Sequence, residues 1–527
     1  MKKLLAIFMT LLVVSAVVVL RQSSAQVGYV PKAQFCADGS SAPCSIVPAY
    51  IGPDPILHSK EVGYFGLFGA LPKSAEQDVE TPFDNMAWQM FVALNYEANS
   101  VNQPAARGLT ARGPRVWQKY PKVSSLFGNS PVRGRCTSAL ALPIIYIGSD
   151  GQGHPAPNNE EYFQASTNLP LIDINGNWTI FERRVNNTEA SYLKAPNGLS
   201  TQTLTTQAGQ TNFINHNPKG VQFTASATTQ TGKNGSIEIK TAWRIIDRNK
   251  GDDPSRYYTQ LAFIAVPGDL VNGGRQFCSS VTLGLVGMHI IQRNPVDPQN
   301  QKLLPKWIWA TFEHVDNAPI AQSPCDLAKG CGTNPGTDWI NKPSCGPAVA
   351  NPSMRYSYYD QNAGVAGTNI GPASTGTGKT KFPWNRTQPY AKNNTTAATA
   401  KPQVTRCWKI YPTTAQLNSQ WQSTLAALKT PFKNYMLIGT QWGGTVEPEP
   451  GNKIPLNAVP GMLSNLTLET YIQNYTGSDP NLPGPGSCIG CHSGATLAVS
   501  PYPSSDFSFL PSLAQPATAR SKVKTAE

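Results

Sequence analysis

Cys488, Ile489, Gly490, Cys491 and His492 spell C-x-x-C-H. In this pattern two thiols three positions apart can each form a thioether with a vinyl group of a c-type haem, while the adjoining imidazole is held against one face of its iron. Random arrangement of 10 Cys and 6 His over 527 residues yields the pentad with a probability of about 0.002. Three other uses of the cysteines stay open: a structural disulfide, a thioredoxin-like redox pair, or half of a zinc site. A four-ligand zinc site needs a second nearby pair, and neither another C-x-x-C nor an H-x-x-x-H occurs. A thioredoxin-type pair opens a helix after a buried strand, whereas Pro483, Gly484, Pro485 and Gly486 precede this one.

The iron of such a haem has a second axial position. The 35 residues after His492 contain neither Met nor His, so that position is capped from upstream, left open, or taken by an unusual ligand such as Lys or Tyr. His58, His154 and His216 sit among loop-forming residues and read as solvated side chains. His289, in V-G-M-H-I-I, and His314, in W-I-W-A-T-F-E-H-V-D-N, lie on apolar strands, where a neutral imidazole is costly unless bonded. The ordinary reading is a core His bonded to backbone or to a carboxylate such as Glu313. As distal ligands the order of preference is His314, His289, then Met462; on an open distal face His314 or Glu313 would be the acid/base group. Met288 points to the strand face opposite His289. Trp307, Trp309, Phe312 and Trp442 read as core, with walling of a haem or electron relay as the alternative. Phe507 or Phe509, in D-F-S-F-L, could close over a haem edge.

These side chains need elements to hold them. The stretch from Phe83 to Tyr96 sets Ala87, Met90, Phe91 and Leu94 at helical spacing behind a capping Asp84 or Asn85, which predicts a buried helix. From about residue 135 to 320 the period becomes two. Ile237, Ile239, Thr241, Trp243 and Ile245 alternate with Glu238, Lys240 and Arg244, and further strands are expected over 257–266, 281–291 and 307–315. Leu417, Trp421, Leu425 and Leu428 predict a helix, 435–440 a short strand, and Leu468, Tyr471, Ile472 and Tyr475 a helix ending at Gly477. The expected fold class is α+β: an antiparallel, β-rich central body with several helices and long loops, on which the haem-bearing C-terminal segment packs. The expected organisation is a signal peptide over 1–25, an N-terminal arm over 26–80, the β-rich body over 81–320, a Cys-containing, low-complexity excursion over 321–405, and a haem-carrying segment over 406–527 that is not independent of the body. A phosphate-loop-like A-S-T-G-T-G-K-T at 373–380 falls in that excursion without the strand and helix such a loop needs.

Lys2 and Lys3 precede the apolar run from Leu4 to Leu20, followed by Ser23, Ser24 and Ala25, which reads as a secretory signal cut before Gln26. An uncleaved N-terminal anchor is the alternative, and no later segment is expected to span a membrane. Without Lys2, Lys3 and Arg21 the chain keeps 40 basic against 31 acidic side chains, a surplus that favours an acidic redox partner protein or an anionic surface. Charged residues are only 14% of the chain and no run of Lys or Arg occurs, so nucleic acid is not expected as a partner. The eight cysteines outside the pentad are even in number, as disulfides in an oxidising compartment require. Cys36 with Cys44, and two of Cys325, Cys331 and Cys345, are the local pairs; buried free thiols are the alternative.

The segments F-D-N-M-A-W-Q-M-F-V-A-L-N-Y, G-S-I-E-I-K-T-A-W-R-I-I, V-G-M-H-I-I, W-I-W-A-T-F-E-H-V-D-N-A-P and S-C-I-G-C-H with D-F-S-F-L, from Phe83 to Leu510, together resemble a group of exported bacterial "cytochrome c family" proteins. The resemblance implies one covalent haem c with its iron and an exported location, and it draws His289 and His314 into the group's pattern; it implies no reaction. The expected function is a periplasmic or secreted monohaem c-type protein, a one-electron carrier or electron-accepting subunit. Cys488 and Cys491 would tether the haem and His492 would be the proximal ligand. A haem enzyme of peroxidase or oxygenase type with an open distal site is the first alternative, and a haem-based sensor or scaffold the second.

Overall fold

The computed structural model describes residues 30–51, 76–98, 108–110, 113–127, 142–149, 160–164, 167, 169–295, 307–325, 347–363, 368–372, 382–391, 402–443, 463–473 and 486–516. The signal segment 1–25, His58, His154, residues 373–380 and Met462 lie outside them.

Alternating sequence gives β1 (Ile144–Tyr146), β2 (Ile180–Val185), β3 (Ile237–Ile245), β4 (Thr259–Val266), β5 (Phe277–Arg293) and β6 (Trp307–His314). β7 (Ile320–Cys325), β8 (Ala348–Val349) and β9 (Arg406–Trp408) form a small separate sheet, and β10 (Tyr435–Gly443) returns to the main one. The spine of the seven-stranded sheet is β5. Its first half pairs with β4 and its second half with β6, while β3 runs along its other edge. β2 extends the sheet beyond β3 and β10 beyond β6; only β1, beside β4, runs parallel to its neighbour. The fold is thus α+β with a mainly antiparallel, β-rich body, as the sequence leads one to expect.

Both faces of the sheet are buried, by unlike layers. One face carries Ile239, Trp243, Met288, Ile290, Ile308, Ala310 and Phe312 into the largest apolar cluster. The helices are α1 (Glu76–Leu94), α2 (Val123–Phe127), α3 (Asn187–Lys194), α4 (Gln207–His216), α5 (Pro412–Ala427) and the short α6 (Cys488–His492). Of these, α1 and α5 cover the apolar face. Phe91 stacks on Phe312 with ring centroids 4.2 Å apart and Trp88 on Trp421 at 5.4 Å, while Trp88 Nε1 donates to Asn418 Oδ1 at 3.0 Å. A bulge at Val286 keeps this face apolar along the whole of β5: Ala242 pairs with Gly287 but Trp243 with Leu285, so the side-chain parity switches there.

α1 starts well before the expected cap and runs through Pro82. Asp84 and Asn85 therefore lie inside the helix. Asn85 instead binds the N-terminal arm, accepting from Gln34 N and donating to Lys32 O, and the Cys36–Cys44 disulfide closes that arm. Cys278 and Cys407 are also disulfide-bonded.

The other face of the sheet is covered by α3, α4 and two C-terminal segments, 463–473 and 486–516. A second apolar cluster joins Val185, Ile291, Trp307 and Trp309 of the sheet to Leu193, Phe213, Ile489, Phe507 and Leu510. The helix expected over 468–475 is, within the described residues, one 3-10 turn at Thr470–Ile472. Side chains capture its backbone instead: Asn465 N donates to Glu469, Thr467 N to Asn465, and Leu466 N to Glu313. This segment lies so close to β5 that a Cβ on Gly287 would collide with Thr467 and Asn465. No described helix is long and apolar enough to cross a membrane.

Phe91 is fully buried, so Phe91→Ala removes a large ring from a packed layer and should cost about 3–5 kcal/mol in a denaturant melt; a loss below about 1 kcal/mol would contradict this packing.

Candidate functional site

The pentad forms the short helix α6, capped by Ser487, whose Oγ accepts from Gly490 N at 3.3 Å. Gln441 on β10 pins it to the sheet: its Oε1 accepts from Ser487 Oγ at 3.1 Å and from Ile489 N at 2.9 Å. Ile489 is buried beneath. Positions three apart on one turn share a helix side, so Cys488 and Cys491 both line the cavity under α6. Neither is in a disulfide. Cys488 donates to Leu463 O at 3.5 Å, and burial pushes its thiol well up.

His492 Nδ1 lies 2.6 Å from Phe507 O. A carbonyl can only accept, so Nδ1 carries the proton and Nε2 keeps the lone pair a metal requires. Burial pushes the imidazole down to about 4, against the opposing pull of that hydrogen bond, so it is neutral near pH 7. The accepting carbonyl is aimed by an unusual turn: Asp506 and Phe507 stand at φ 57° and 67°, a region bulky residues rarely adopt. Asp506 Oδ2 accepts from Phe223 N, which holds the turn. Phe509 crosses the other side of the imidazole at 5.2 Å, so of the two aromatics Phe509 borders the cavity, while Phe507 packs behind it.

The cavity has a volume of about 390 Å³, within the range of small-molecule and cofactor sites. Its sheet wall includes Arg183, Arg184, Glu238, Lys240, His289 and Trp309. Trp309 stands 6.0 Å from the His492 ring, and its buried indole N–H has no partner among the described residues. His289 Nε2 meets both carboxylate oxygens of Glu469, at 2.9 and 3.0 Å. Burial alone would raise the Glu469 carboxyl; His289 outweighs it, aided by Lys240 and the Asn465 N–H, and holds it below the usual range.

His289 and His492 thus border one cavity, and the other expected residues do not. His314 is fully buried on the apolar face, stacked on Tyr257 at 4.1 Å. Its Nδ1 accepts from Asp316 N at 3.1 Å and its Nε2 donates to Arg256 O at 2.9 Å. Both nitrogens are used, and burial pushes the ring down to about 4. The first-ranked distal candidate is therefore replaced: five positions from Trp309 on one strand, His314 must point to the opposite face. Glu313 is also no acid/base group of the cavity, because its two oxygens accept from Arg406 (2.6 Å) and Leu466 N (2.7 Å), fastening segment 463–473 to β6. His216 ends α4, exposed, with Nδ1 on Asn212 O. Gln441, Lys240, Arg183, Glu469 and the Phe507 carbonyl were not singled out from sequence. Alternation marks Lys240 as facing away from the apolar core, but nothing local marks the others. Among the described residues, no three His, Cys, Asp or Glu converge as a ligand set for a bare ion.

The residues present fit a covalently held haem. Two thiols outside any disulfide share one helix turn, a neutral imidazole offers Nε2, and an indole N–H without a partner among the described residues stands at the wall. Compared with models of known protein families, with curated proteins and with solved structures, the chain matches none.

Gln441→Ala strips the acceptor from the buried Ile489 N–H and should cost about 1–3 kcal/mol, with looser packing of α6 in hydrogen exchange. For His314 the folded value, about 4, lies below the unfolded 6.5. The unfolded state then binds more protons between these values, and native stability falls as pH is lowered through them. Relative to His314→Gln, the parent should lose about 3 kcal/mol between pH 6.5 and 4; a pH-independent difference would show the imidazole to be solvated.

Proposed function

We propose that this chain is an exported monohaem c-type redox protein that passes single electrons to and from an acidic partner. The observation that carries the reading is the His492–Phe507 hydrogen bond beside two thiols on one cavity wall, which presents a neutral, oriented imidazole where the pentad requires one. Cys488 and Cys491 would tether the haem, and His492 Nε2 would ligate its iron. The haem supplies the one-electron couple of its iron. The chain sets the conditions of that couple: the Phe507 carbonyl raises the basicity of His492, while Trp309, Ile291 and Phe509 exclude water. Export is supported by the leader-like N-terminus and the disulfides at Cys36, Cys278 and Cys407.

A haem enzyme is the second reading, and the His289–Glu469 pair favours it. A carboxylate-bound imidazole inside the cavity can take or deliver a proton there, a role that passes to His289 from His314 and Glu313.

Wild-type protein should keep haem through denaturing electrophoresis, and the double variant Cys488→Ala with Cys491→Ala should lose it; retention by the variant would refute the tether. Carbon monoxide separates the two readings. The carrier reading expects slow binding to the reduced protein and a changed resting spectrum in His289→Ala, whereas fast binding without ligand displacement assigns the enzyme.

A further inference from the structure

Arg183, Lys240 and His289 form one lateral row across three strands. Arg183 is opposite Lys240 on β2 and β3, and Lys240 is opposite His289 on β3 and β5. All three line the cavity. Directly opposed side chains have Cβ atoms about 4.5–5.5 Å apart, and like charges so placed repel. The ends of the row are compensated: Arg183 lies 3.7 Å from Glu161 and His289 2.9 Å from Glu469. The middle is not. Lys240 makes no ion pair in the described structure; its Nζ hangs 5.5 Å from the centre of the Phe181 ring and acts on Glu469 only from beyond ion-pair distance.

Other cations of this sheet have ion-pair partners: Arg184 with Glu182 at 2.6 Å, Arg244 with Asp252 at 3.0 Å and Arg293 with Asp506 at 3.6 Å. The lining also carries Glu161, Glu238 and Glu469, of which Glu161 and Glu469 are engaged by Arg183 and His289, so Lys240 is the half-buried cation of the row that can still take an anion from the cavity. A small oxyanion such as a carboxylate has the chemistry for that place.

We propose that Lys240, flanked by Arg183, is a carboxylate-binding subsite of the cavity and that a propionate of the haem occupies it. This rests on the haem-binding reading above. Lys240 then fixes which way the macrocycle lies against the sheet. Its charge keeps the propionate ionised and favours the reduced iron.

The test uses haem-loaded full chain and the variants Lys240→Gln and Lys240→Arg, read by midpoint potential as a function of pH. Lys240→Gln should lower the potential and make it depend on pH through the mildly acidic range, as the propionate begins to titrate; Lys240→Arg should restore both. A loaded Lys240→Gln with wild-type potential and pH profile overturns the proposal. If Lys240→Gln loads no haem, Lys240→Met and Lys240→Arg decide, since both keep the stem and only the second keeps the charge: several-fold better loading by the arginine supports the subsite, and equal loading overturns it. A free carboxylate as the true ligand would appear as a spectral change of wild type on titration with acetate, abolished in Lys240→Gln at unchanged potential, and this too overturns the propionate assignment. Absence of covalent haem from wild type sinks the functional reading itself, a result distinct from all of these.

Discussion

One sheet buried on both faces by unlike layers is the constraint from which the rest follows. With both sides covered, the parity of every strand residue decides its chemistry. On β6 the even positions, from Ile308 to His314, enter an apolar layer beneath two helices, while Trp309, Thr311 and Glu313 meet the C-terminal segments. The bulge at Val286 extends the same logic along β5, keeping Leu285 and Leu283 in the apolar layer even though they are odd where Met288 and Ile290 are even. The polar face can then hold charges because the opposite face supplies the hydrophobic stabilisation.

Much of this was legible in the sequence, because period-two and period-3.6 patterns report burial directly. The alternation of β3, the apolar stripe of α1 and the stripe of α5 all appear in the fold, although α1 begins well before its expected cap. The pentad was equally plain, being contiguous, whereas its cap at Ser487 was seen only in the fold. Where the reading failed, the determinant was non-local. His289 and His314 look alike as apolar-strand histidines, and only the pairing of β5 with β3 and β6 separates them. The stripe from Leu468 to Tyr475 has helical spacing, yet Asn465, Thr467 and Glu469 bond the backbone locally and Glu313 takes another of its donors from a strand 153 positions away. Asn85 resembles a helix cap but spends its amide on the N-terminal arm.

The candidate site shows the same division of labour. Local sequence makes the turn of α6, but its orientation comes from Gln441, and the tautomer of His492 comes from a main-chain oxygen that no residue type reveals. Glu469 is held in place by the hydrogen bonds of its own segment before it meets His289. Each group is thus positioned by an element other than the one that carries its partner, which makes the arrangement rigid although several of its parts are loops.

The C-terminal strap is stitched to distant parts of the chain: Phe223 to Asp506 and Gln210 to Pro511 span 283 and 301 positions. Contacts of such range carry a large loop-closure cost, which the packed sheet beneath them must offset. Under the strap Cys488 is partly enclosed, bonded to Leu463 O and held protonated by burial, and so is a poor nucleophile. Access to the thiols is thereby set by the strap: on the haem-binding reading proposed above, the reactivity of the residues that would hold the group depends on how far the C-terminal segment has closed over them.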